Sequence, residues 1–266
     1  MSAGQRQQYN RCLLTEAQRD RLEVVLVSPR NPLNMGAAAR AMANFGFAHL
    51  AVVAPFEAHW REARSAVGAP DLLHAAKETE TLAEAIAPCT LVVGTGTLTY
   101  RKPEQPVVPL PLLAPLIQQE LQRGGHVALV FGPEKHGLTR EDLSYCHWLV
   151  EIPTDTRQPS MNLGQAVAVA LYELVRQAVE EKSASAATAQ NALETAPNST
   201  SGVLDRLAEV IEETMKAAGY SPRIMQAANR HDLRLLLRRL RWTDADAKHA
   251  LGLFRRVLWR LAHPDR

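Results

Sequence analysis

Apolar residues along this chain fall into short unbroken runs separated by longer amphipathic stretches. Residues 22–28 (LEVVLVS) predict a strand buried on both faces, and comparable runs recur at 49–54, 90–93, 127–131 and 148–152. Helical spacing falls between them, around 71–84, 112–122, 139–145 and 162–181. Asn34 is placed to cap a helix over 35–45, with Gly46 as its left-handed stop. Strands alternating with helices predict an α/β domain built on a mostly parallel sheet covered on both faces.

The patterning fades over residues 183–202 (SASAATAQNALETAPNSTSG), where Glu194 is the single charge. Such a segment buries too little apolar surface to build a core and reads as a flexible linker. Beyond it, three amphipathic helices are expected over 203–218, 222–241 and 244–262, the last capped by Thr243. The expected organisation is a polar arm (1–19), an α/β domain (20–182), the linker (183–202) and a helical extension (203–266).

A chain of 266 residues has room for one sizeable domain and an appendage of this kind. Its formal charge of +2 conceals an asymmetry. Residues 203–266 carry 13 Lys/Arg against 8 Asp/Glu, and the remainder 17 against 20. A basic end suits a polyanionic partner or a solvated helix face, and charge alone does not choose between them. Leu236, Leu240, Leu251, Phe254 and Leu258 could equally form a dimerising face. Cys12, Cys89 and Cys146 are scattered without CxxC spacing, and the nine histidines form no HExxH pair, so no metal is expected. No apolar run approaches the roughly 18 residues of a membrane span, and the N-terminus lacks the apolar core of a signal peptide. A cytoplasmic protein with no membrane partner is expected.

Three strand ends break into turns rich in Gly, Asn and Ser: VVLVSPRNPLNMGAAARAM (24–42), ALVFGPEKHGLT (128–139) and VEIPTDTRQPSMNLGQAVAVALYEL (150–174). Strand ends are where α/β sheets build ligand sites, so three alike suggest one pocket. In the first, Arg40 offers a planar guanidinium suited to phosphate. In the second, Gly132 permits close backbone approach and Glu134 can accept hydrogen bonds. The third opens a small-residue helix whose N-terminal amides can bind a polar ligand group, with the Ser160 hydroxyl beside them. VVGTGT (92–97) is a weaker fourth turn of the same type. The Walker, GxGxxG and GxSxG spacings are absent.

Taken together, NPLNMGAAAR, FGPEKHGL and IPTDTRQPSMNL resemble the three ordered motifs of SPOUT-superfamily RNA 2′-O-ribose methyltransferases. Within it they look most like the branch that modifies nucleotide 32 of the tRNA anticodon loop. The resemblance spans about residues 20–180. It implies an α/β trefoil knot, S-adenosyl-L-methionine bound bent within that knot, and an obligate homodimer with active sites at its interface. It implies cofactor contacts at Thr95, Gly96, Thr97, Gly132, Ile152, Pro159, Ser160 and Met161. Catalytic roles fall to Arg40 and Ser160, with Asn34 and Glu134 shaping the pocket. Leu98 stands near a place where relatives often carry an arginine, and Arg101 follows slightly later. Arginine's very high pKa favours positioning and electrostatics for Arg40 over action as a base. The functions implied are tRNA ribose methylation first, then ribosomal RNA methylation, or RNA binding without catalysis.

Overall fold

The computed structural model describes residues 14–96, 103–176, 198–220 and 225–263. Among these residues seven strands form: β1 (Leu22–Val27), β2 (His49–Val53), β3 (Lys77–Thr79), β4 (Leu91–Thr95), β5 (Val107–Pro109), β6 (Val127–Phe131) and β7 (Trp148–Glu151). They form one sheet in the order β3-β2-β1-β6-β4-β7-β5, every neighbouring pair parallel. Side chains alternate across β1: Val24 and Leu26 enter one core, Val25 and Val27 the other. That is why its sequence is apolar without a break. The first core is closed by α2 (Pro32–Phe45), α5 (Leu113–Gln122) and α7 (Leu163–Val175). The second is closed by α4 (Leu82–Ile86), with α6 (Arg140–Ser144) beside it. Two short helices, α1 (Glu16–Arg19) and α3 (Pro70–Ala75), complete the domain.

Several local expectations change. Helix α2 begins earlier than expected: Asn31 is its cap, accepting from the Leu33 N–H, and Pro32 occupies the first position. Asn34 therefore lies inside the first turn, which frees its side chain for other partners. Gly46 does end this helix, at φ 74°. The helix expected over 71–84 is instead α3, β3 and α4, because Lys77–Thr79 pair with β2. Helix α7 stops at Val175, where Arg176 turns to extended backbone.

The extension consists of α8 (Ser201–Ala217), α9 (Gln226–Arg239) and α10 (Asp244–Ala262). Leu207, Ala208 and Leu237 form its centre, with Leu251 and Phe254 packed against them. The expected leucine face is therefore divided: Leu251 and Phe254 turn inward, whereas Leu236 and Leu240 stay exposed. The last residues of the presumed linker already belong to this folded part. Ser201 and Gly202 open α8, and their N–H groups donate to Cys89 and Ala87 carbonyls beside the sheet. Residues 183–197 and most of the N-terminal arm lie outside the described residues.

Candidate active site

Parallel pairing places the C-terminal ends of β1, β6, β4 and β7 along one edge of the sheet. Three of the loops leaving that edge enclose a cleft of about 320 Å³. Thr95 and Gly96 from β4, the loop from Gly132 to Leu138, and Ile152, Thr154, Pro159, Ser160 and Met161 line it, with Leu163 and Ala166 from α7. This volume falls at the lower end of the roughly 300–1,000 Å³ of small-molecule pockets.

Each wall is held by local chemistry. The Thr95 hydroxyl donates to the Val130 carbonyl at 3.0 Å, fastening β4 to β6 below the cleft. Gly132 is required by close approach: a Cβ there would overlap Leu138 N and the Gly137 carbonyl carbon. The Thr154 hydroxyl donates to the Pro159 carbonyl at 3.1 Å, closing the loop that presents Ser160. Asp155 braces the same loop by accepting from the Arg157 N–H at 2.8 Å and from its guanidinium at 3.0 Å.

Beside the cleft, one polar chain joins all three motifs. Glu134 accepts from the Arg30 and Asn31 N–H groups at 3.1 and 3.2 Å, and from Asn34 Nδ2 at 2.9 Å. Asn34 Oδ1 in turn accepts from Asn162 Nδ2 at 2.8 Å. Asn162 Oδ1 caps α7, accepting from the Gly164 and Gln165 N–H groups. Partial burial would raise the Glu134 carboxyl. The hydrogen bonds from Asn34 and from the Glu134, Arg30 and Asn31 backbones outweigh it and hold the group below the usual range.

The model of the SpoU rRNA Methylase family matches residues 21–172, the stretch that carries the sheet, the cleft and this polar chain. The chain belongs to the SpoU methylase family. Within that family its relatives include proteins of the TrmJ type. It is 30% identical to a tRNA (cytidine/uridine-2′-O-)-methyltransferase TrmJ of Yersinia pestis, over 92% of this chain and 93% of that protein. It is 42% identical to a tRNA (cytidine/uridine/adenosine-2′-O-)-methyltransferase TrmJ of Pseudomonas aeruginosa, over 58% of this chain and 60% of that protein. Among solved structures, TrmJ from Z. mobilis ZM4 covers 88% of this chain and 98% of its own at TM-score 0.74 and 28% identity.

In this SpoU-family fold the expected site residues separate into four groups. Thr95, Gly96, Gly132, Ile152, Pro159, Ser160 and Met161, with Glu134, all line the cleft. Asn34 stands next to it through Glu134, and Thr97 and Arg101 lie outside the described residues. Arg40 is exposed on α2 and does not line the cleft of its own chain. Sequence reasoning passed over Phe131, Pro133, Lys135, His136, Gly137, Leu138, Thr154, Leu163 and Ala166, which complete the lining. All of them sit within the three quoted segments, so taking each segment whole finds them. Leu163 and Ala166 belong to the start of α7, the helix that the third turn opens.

Two further expectations meet the structure here. Among the described residues no helix is long and apolar enough to cross a membrane. The fold also gathers Glu104 with His231, 127 residues further on, and Asp232, and their candidate ligand atoms lie within 4.8 Å of one another. Arg140 occupies the Glu104 carboxylate at 3.1 Å.

Proposed function

We propose that this chain methylates a ribose 2′-hydroxyl of tRNA from S-adenosylmethionine, at nucleotide 32 of the anticodon loop. The observation that carries the reading is a small-molecule cleft formed by the end of β4 and the second and third motif turns of a methylase fold, with the first motif tied to its rim through Glu134 rather than lining it. The cleft suits this cofactor. It is walled by backbone at Gly96 and Gly132, polar at Thr154 and Ser160, and apolar at Ile152, Leu138 and Met161. When bound, S-adenosylmethionine supplies an activated methyl carrier.

The residues then position, exclude water and handle one proton. Gly132 lets the second turn close against Leu138 and seal one side. Ser160 orients the attacking oxygen from the mouth of the third turn. Glu134 is a poor proton acceptor, since hydrogen bonds already engage both carboxylate oxygens and lower its basicity. Arg40 meets RNA phosphate with its planar fork, and its exposure suits a site completed by a second copy of the chain. The homodimer and the trefoil knot belong to this reading on the strength of the resemblance. The exposed arginines of α9 and α10 give the RNA a second basic surface. The reading places the enzyme in the cytoplasm with tRNA and requires no metal.

The test is incubation with a labelled methyl donor and, in parallel, total tRNA and ribosomal RNA, followed by nucleoside mapping. Label as a 2′-O-methyl at position 32 is expected. Label confined to ribosomal RNA would move the substrate, and donor binding without transfer to any RNA would overturn the enzymatic reading.

A further inference from the structure

The helical extension meets the sheet at the edge opposite the cleft, where β4 and β7 begin. A second, smaller cavity of about 60 Å³ lies in this seam, lined in part by His147, Ser199, Arg238, Arg239, Arg241 and Trp242. A water's share of liquid volume is about 30 Å³, so the space admits a pair of waters or one small ion and excludes a nucleotide.

Its polar lining includes Thr90 and Asn198, whose hydroxyl and amide are engaged by His126 and Glu120, and three donors that are not engaged. Ser199 Oγ, Trp242 Nε1 and Arg238 Nη1 are buried and have no hydrogen-bond partner among the described residues. Ser199 is 1% exposed and Arg238 2%. The other guanidinium nitrogens of Arg238 are committed: Nε donates to the Tyr145 carbonyl and Nη2 to Asp205 Oδ1, both at 2.9 Å. The Val92 N–H donates to His147 Nδ1 at 3.0 Å, which leaves the proton of the neutral ring on Nε2. Burial, with Arg238 and Arg241 nearby, pushes the His147 imidazole down to about 3, so it stays neutral. Asp205 offsets Arg238, and Glu120 approaches Arg241 at 3.9 Å, but neither carboxylate lines the cavity. Arg239 has no ion pair among the described residues, so the lining keeps excess positive charge. Buried donors left without acceptors are costly, and a group that satisfies several at once is strongly favoured.

We propose that this cavity binds a small inorganic anion, chloride or phosphate, held by Ser199, Trp242 and Arg238. The anion accepts the hydrogens that the protein leaves unmatched. It also steadies Arg238, the side chain that joins α9 to α8 and to the end of α6. The site fastens the extension to the sheet and stands apart from the methyl-transfer cleft.

The full chain is melted at constant ionic strength while gluconate is replaced stepwise by chloride, and separately while phosphate is added. Saturable stabilisation by either anion is expected, and which arm saturates identifies the ion. Ser199→Ala and Trp242→Phe should each weaken that apparent affinity at least tenfold. Arg255→Gln, an exposed position on α10, should leave it unchanged. A non-saturating response, or the same response in wild type and both cavity variants, means a general salt effect and overturns the proposal. Should the cavity variants fail to fold, bromide and phosphate soaked separately into wild-type crystals decide. An anomalous bromide peak between Ser199 and Trp242, or phosphate density there after a phosphate soak, supports the site, and the absence of both overturns it.

Discussion

Replacing Asn34 by Asp changes one atom of the polar chain and leaves its shape intact. The Oδ1 that accepts from Asn162 is retained. The Nδ2 that donates to Glu134 at 2.9 Å becomes a second carboxylate oxygen facing the first. A hydrogen bond to a charged acceptor contributes about 1.5–3 kcal/mol net. The new repulsion adds about 1 kcal/mol if fully screened and more where the protein excludes water. Both Glu134 and Asn162 are exposed, which places each contribution near its lower bound. The expected loss is therefore about 2–3 kcal/mol at pH 8, or about 1 M in urea midpoint at a typical slope of about 2–3 kcal/mol/M. The sign of its pH dependence follows. In the wild type the Glu134 carboxyl lies below its ordinary value, so its contribution is complete above that ordinary value and disappears as pH falls through the lowered one. In Asn34→Asp the paired carboxylates raise each other, and one takes up a proton on mild acidification, restoring the missing donor. The deficit against wild type should shrink between pH 8 and pH 5. Urea titrations at several pH values, with calorimetric titration of S-adenosylmethionine alongside, provide the measurement. A variant with a wild-type midpoint at pH 8, or a deficit unchanged by acidification, refutes the coupling of the motifs through this chain.

Gly132→Ala should displace the second turn, lose roughly 1–3 kcal/mol of stability as an overpacked substitution and weaken donor binding at least tenfold. Gly96→Ala meets open space and should keep the wild-type melting point, so equal behaviour of the two in thermal melts contradicts the packing account. In methyl-transfer assays, Arg40→Lys should cost at least tenfold in turnover while leaving donor affinity unchanged, and near-full activity would exclude a shaped guanidinium role. Ser160→Ala should lower turnover or donor binding, and loss of neither removes Ser160 from the site. Glu212 is held at about 2, chiefly by the Arg230 hydrogen bonds and then by Lys216. Its contribution is present above the ordinary carboxylate value of 4.5 and is lost as pH falls toward 2. Glu212→Gln should cost about 1–2 kcal/mol at pH 7, since Arg230 is half exposed, and little at pH 2.5, as followed by helical circular dichroism.

What the sequence reveals of this molecule is what short segments determine. The central strands are legible because burial on both faces demands unbroken apolar runs, and Gly46 because only a left-handed stop suits that place. The edge strands are not: KET at 77–79 and VVP at 107–109 are too short to show a period. The first lies in an Ala- and Glu-rich stretch whose helical propensity is overridden by pairing with β2. Between two nearby asparagines, Pro32 marks Asn31 as the cap, a local signal sufficient to correct the choice of Asn34. The cleft walls could be named because each is a turn with its own chemistry. The links between them could not, since Glu134 meets Asn34 across 100 residues and Asn34 meets Asn162 across 128.

Those links bear on what the motif residues do. A carboxylate selected as a base would keep a free oxygen toward the substrate and a raised pKa. Glu134 shows the opposite, with both oxygens engaged by the first motif and its basicity lowered. Asn34 likewise spends its amide on Glu134 and Asn162, and Asn162 spends its own on Asn34 and the start of α7. These three side chains therefore set the distance between the turns. Of the four residues expected to be catalytic, Ser160 and Arg40 are the two outside this polar chain, one lining the cleft and one on the exposed face of α2. Under the proposed function, in which both act in one site, a second copy of the chain would bring them together.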